Sequence, residues 1–115
     1  MQSRIRNEKQ SITSSPEVER NLLRGLIQHE EVFAEIDMLI KETDFCNELN
    51  YFLYCVIKNC RRDGETLDKV ILAHKIESLN VKFDNYHDNV YDYVENLTFG
   101  FISIESTLQS AQALL

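Results

Sequence analysis

Three glycines and one proline in 115 residues leave this chain few places to turn sharply. Short strands joined by tight turns need such residues at every corner, so their scarcity favours long, uninterrupted helices. The length fits one domain, which buries roughly two thirds of the surface its unfolded chain exposes. Hydrophobic residues make up 43% and charged residues 27%, values of a soluble globular domain rather than a disordered chain.

The apolar spacing bears this out along the chain. Residues 1–15 have no apolar periodicity and read as a flexible tail with Arg4, Arg6 and Lys9. A first helix opens at "SSPEVERNLLRGLI". Ser15 is its candidate cap, Pro16 suits the first turn, and Glu17 and Glu19 suit the positive end of the helix dipole. Leu22, Leu23, Leu26 and Ile27 form its apolar face. "HEEVFAEIDMLI" predicts a second helix burying Val32, Phe33, Ile36, Leu39 and Ile40. A third covers roughly Glu48 to Arg62, with Leu49, Phe52, Leu53, Val56, Ile57 and Cys60 inward. A fourth runs from Asp68 to about Leu79 on Ile71, Leu72 and Ile76. A fifth is "FDNYHDNVYDYVENL", with Phe83, Val90, Val94 and Leu97 on one side. After the breaker "TFGF", whose two phenylalanines look exposed, a last helix starts near Ser103. The expectation is an all-α compact bundle of about six helices. The last one reaches Leu115 without a capping residue, which predicts that it continues in a longer protein.

Little in the sequence points to chemistry. The net charge of −7 disfavours gripping DNA or an anionic membrane, since both depend on Lys and Arg. Cys46, Cys55 and Cys60 form no Cys-x-x-Cys pair, and an odd number suits reduced, buried thiols of the cytoplasm. The polar stretch "RRDGETLD" fails as a calcium loop: with Gly64 at the sixth position, Arg61 falls where a ligand belongs. No glycine there precedes a Lys, so it is no phosphate loop. Capping explains it instead. Arg61 and Arg62 suit a helix C-terminus, Gly64 a left-handed stop, and Thr66 or Asp68 the next start. Asp84, Asp88, Asp92 and Glu95 read as a solvated acidic face. His29, His74 and His87 lack the spacing of a zinc helix. No catalytic, cofactor or metal residue is assigned.

Two features remain as interface candidates. Ile104, Leu108, Ala111 and Leu115 form one apolar stripe on the last helix, which either meets a partner or packs back on the bundle. Arg61 and Arg62 form a basic pair on an acidic domain, a possible docking contact.

The ordered set of motifs resembles the N-terminal domain of DnaB-like replicative helicases. Pro16, Glu17, Glu19, Leu23, Gly25 and Leu26 are similar to that family's Pro-Glu-Ala-Glu opening, and Asp44 and Phe45 to its Asp-Phe-Tyr, with Cys46 in place of Tyr. Gly64, Asp68, Leu72 and Ala73 fit its Gly-x-Pro-Ile-Asp-x-x-x-Leu-Ala pattern, with Thr66 where Pro is usual. Tyr93 to Leu97 resembles Tyr-Leu-x-x-Leu. The Gly-Gly common before the fifth helix is missing, which suggests a divergent bacterial or phage member. The resemblance implies a head over residues 16–99 and the start of a helical hairpin over 100–115. It implies self-association into the collar of a hexamer, and docking of a DnaG-type primase and a helicase loader. ATP, magnesium and contact with DNA would belong to a RecA-like domain outside this chain. A stand-alone adaptor or inhibitor that mimics the collar is the alternative.

Overall fold

A computed structural model describes residues 15–80 and 89–115. Among them are six α-helices, two 3-10 turns and no strand, as the spacing predicts. In order these are α1 (Pro16–Gln28), a turn (Glu30–Val32), α2 (Phe33–Leu39), a turn (Glu42–Asp44), α3 (Glu48–Asp63), α4 (Lys69–Ser78), α5 (Val90–Leu97) and α6 (Ile104–Leu114). The expected tail lies outside the described residues but for Ser15, and so do Phe83, Asp84, His87 and Asp88.

α1 is the hub. It packs against α3, α5 and α6, while α4 packs against α3 and α5. Leu22, Leu23 and Leu26 are wholly buried and share one core with Leu53 and Ile57 of α3, Leu72 and Ile76 of α4, and Val94 and Leu97 of α5. Burying each such side chain contributes roughly 1.5–3 kcal/mol.

The departures from the sequence reading have local causes. The second helix is split: Glu30–Val32 winds as a 3-10 turn before α2 begins. Ile40 is buried in extended backbone just past the end of α2, which leaves Leu39 outside. α5 starts only at Val90, because Asn89 is extended and its side chain accepts the Asp92 N–H at 2.8 Å. That cap is incompatible with one helix running through residue 89. Ser15 stands at the head of α1, but its side chain makes no capping bond.

The "RRDGETLD" turn is built as capping chemistry predicts. Gly64 has φ +71°, its N–H donates to Arg61 O at 3.3 Å, and the Glu65 N–H donates to Cys60 O at 2.9 Å. This pair of bonds is a Schellman stop. Asp68, not Thr66, then caps α4 by accepting the Ile71 N–H at 2.8 Å. A Cβ on Gly64 would meet nothing, so only backbone strain opposes one. Gly64→Ala is therefore expected to lower stability by about 1 kcal/mol. Urea denaturation measures this, and an unchanged midpoint would show that the turn tolerates a side chain.

Candidate protein-interaction surface

The stripe on the last helix is largely covered by its own chain. α6 lies along α1, with Ala111 fully buried and Leu114 at 2% exposure in the common core. Ile104 and Leu108 are half-buried and pack against that core. Leu115 alone of the four stands in water, at 59% exposure. Of the two alternatives for the stripe, three of its four residues follow the second and pack back on the bundle. The approach is close because Gly25 has no side chain, and the Thr107 side chain fills the space that a Cβ there would take. Thr107 is itself fully buried, and its hydroxyl donates to Ser103 O at 2.8 Å. The buried line of α6 is Thr107, Ala111 and Leu114, shifted from the stripe that hydropathy alone picks out.

The basic pair is also divided. The Arg61 side chain is 9% exposed and turned inward. Its guanidinium donates to the carbonyls of Leu26 at 3.1 Å and Ile27 at 3.2 Å, and pairs with Glu30 at 3.4 Å. It therefore closes the C-terminus of α1, whose last carbonyls lack helical partners. Arg61 is thus a clasp within the domain, and only Arg62 of the pair is exposed. Arg62 remains on the surface, paired with Asp37 at 3.5 Å.

A buried polar network joins α1, α3 and α5. The carboxylate of Glu19, fully buried, accepts the N–H groups of Cys46 at 2.7 Å and Asn47 at 3.3 Å, and the Asn50 side-chain amide at 2.9 Å. The Tyr93 hydroxyl donates to the other end of that amide at 2.6 Å. Burial pushes the Tyr93 phenol above its ordinary pKa. A negative group at the N-terminus of α3 is the favourable placement.

Burial pushes both Cys55 and Cys60 above the usual thiol range, so they stay protonated at neutral pH. Cys46 is exposed, against the expectation of three buried thiols. Among the described residues, no group of three or more His, Cys, Asp or Glu side chains is placed to hold a metal ion. No helix among them is long and apolar enough to cross a membrane.

The sequence model of the DnaB-like helicase N-terminal domain family matches residues 11–110. The chain belongs to that family. No curated protein and no solved structure matches it. In this DnaB-like domain the residues that carried the resemblance now have physical roles. Glu19 holds α3, Gly25 admits α6, and Gly64 and Asp68 end one helix and start the next.

The most exposed apolar groups of the DnaB-like domain lie elsewhere than the stripe. Met38 is 88% exposed, and Phe99 and Phe101 are 79% and 78% exposed. The two phenylalanines flank Gly100, whose φ is +86°. The sequence marked them as exposed-looking, but their isolation from any helical period kept them out of the interface set.

Proposed function

We propose that this chain is the assembly and partner-docking head of a hexameric replicative DNA helicase. The match of the DnaB-like N-terminal domain family over residues 11–110 carries this reading. The all-α architecture is consistent with it. In this reading the heads pair and build a collar, a primase and a loader dock on that collar, and the work takes place in the cytoplasm. α6 leads into the first arm of a helical hairpin, with Leu115 and the exposed Arg62 facing other subunits. ATP hydrolysis, magnesium binding and translocation on DNA belong to a separate RecA-like domain.

The coding frame beyond Leu115 tests the proposal. A Gly-x-x-x-x-Gly-Lys-Ser/Thr segment is expected within the next few hundred residues. A frame closing at Leu115 overturns it in favour of a stand-alone adaptor that binds a helicase ring. In the parent protein, Leu115→Asp is expected to weaken hexamer formation roughly tenfold, as burying an unpaired charge in an interface does. Sedimentation velocity reads this directly, with circular dichroism to check that the head stays helical.

A further inference from the structure

The Phe99–Gly100–Phe101 loop shows its rings to water while its backbone is held firmly. The Gln28 side-chain amide donates to Gly100 O at 2.7 Å, and the Ile102 N–H donates to the same amide's oxygen at 3.1 Å. His29 Nε2 lies 2.6 Å from Ile102 O, and Arg24 Nε donates to Leu97 O at 2.8 Å. Three residues of α1 and its end, through four contacts, thus hold the segment from 97 to 102, whatever the rings do. Phe101 meets the edge of the His29 ring at 5.6 Å, and Phe99 forms one wall of a groove of about 420 Å³. Ile27, Leu67 and Thr98 also line that groove, and Asp68 and Glu95 bring carboxylates to it.

A loop clamped in this way spends its clamping bonds on keeping two phenyl groups solvated. Exposed aromatic rings on a held backbone beside a pocket suit protein recognition, because little backbone entropy is lost when they bind. We propose that this loop and its groove form a docking site for a peptide segment of another protein that carries apolar side chains next to lysine or arginine.

Charge selects that occupant over the others. The groove's Lys69 is paired with Glu95 at 2.9 Å, and Asp68, the N-cap of α4, adds a further carboxylate with no cation of its own among the groove's side chains. Glu31 lies two residues past His29 in the chain, Glu105 lies four residues past Phe101, and both are exposed, while Glu30 is paired with Arg61. The whole chain carries −7. A basic segment gains from these carboxylates, whereas a second copy would bring like charges together. An anionic membrane is disfavoured for the same reason. The inference stands on the loop and its surroundings, independently of the collar reading.

The test uses the 115-residue chain and a fluorescent 18-residue amphipathic peptide of leucine and lysine, with its leucine–glutamate counterpart as control. Anisotropy titrations at physiological salt are expected to show saturable binding of the lysine peptide. Phe99→Ser with Phe101→Ser should weaken that binding roughly tenfold, with the far-ultraviolet spectrum unchanged. Glu95→Gln, which keeps both rings, should weaken it about threefold. Equal binding by the double variant would mean that net charge alone attracts the peptide, and the proposal fails. Equal binding of the glutamate peptide also overturns it. A concentration-dependent dimer that the double variant abolishes would overturn it in favour of a second copy.

Discussion

Glu19→Ala is expected to destabilise the domain by about 3–5 kcal/mol, the cost of leaving three donors without their acceptor at roughly 1–3 kcal/mol each. The carboxylate is fully buried and accepts three hydrogen bonds. Truncation leaves the Cys46 N–H, the Asn47 N–H and the Asn50 amide without their acceptor. Two of these donors are backbone groups at the entry to α3, so neither can rotate toward water. The Asn50 amide is fully buried as well, and its oxygen accepts from Tyr93. The loss therefore spreads from α1 through α3 to α5.

Glu19→Gln separates the acceptor's geometry from its charge. The amide keeps one oxygen for two of the three donors, but its NH2 would face the Cys46 N–H. A cost of about 2 kcal/mol is expected, between wild type and the alanine variant. Tyr93→Phe removes the bond to Asn50 at the far end and should cost at least about 1 kcal/mol. Guanidinium denaturation of the three variants gives the order. If Glu19→Gln proved as stable as wild type, the donor set around Glu19 would have been wrongly placed.

Glu19 also shows where the sequence was legible and where it was not. Its position two residues after Glu17 at a helix start reads as dipole chemistry, and both residues look alike on that ground. What separates them is a chain reversal 27 residues later, which brings the Cys46 N–H onto one carboxylate and not the other. Local spacing holds no trace of that contact. By contrast, Leu22, Leu23, Leu26, Leu53, Ile57, Leu72 and Ile76 were all legible as core, because a helix must bury its apolar face somewhere. Tyr54 escaped the same argument. It is fully buried, with its hydroxyl donating to Asp37 at 3.0 Å and its ring stacked on Phe45. A polar tip hides an aromatic body from a hydropathy pattern, and its burial depends on a partner from another helix. The interface candidates suffered from the opposite problem. Apolar spacing on α6 and basic charge at Arg61 were visible, but whether the bundle itself would use them depends on tertiary contacts at α1. The "TFGF" segment, with no period at all, is where solvent-facing aromatics remained.

Gly25→Ala is expected to destabilise the domain by about 2–3 kcal/mol, although alanine is the better helix former. Propensity alone favours the change by about 1 kcal/mol in a helix interior. The opposing term is steric. A Cβ at position 25 would lie 2.6 Å from Thr107 Cβ and closer still to that residue's Oγ1 and Cγ2. Rotation of the threonine offers no escape, because its Cβ itself is in the way along with both heavy substituents, and its hydroxyl is tied to Ser103 O. Relief requires moving α6 away from α1, which would open the core around Ala111 and Leu114. For a domain of about 100 residues the loss corresponds to a fall in Tm of roughly 10 °C or more. The complementary change supplies the control. Thr107→Gly removes all three clashing atoms, so it should rescue Gly25→Ala in the double variant even though it destabilises the wild type. A coupling of at least about 1 kcal/mol between the two positions is expected, as for residues in direct contact. Additive effects would mean that α1 and α6 do not meet at this point, and the close approach of the last helix to the hub would have to be abandoned.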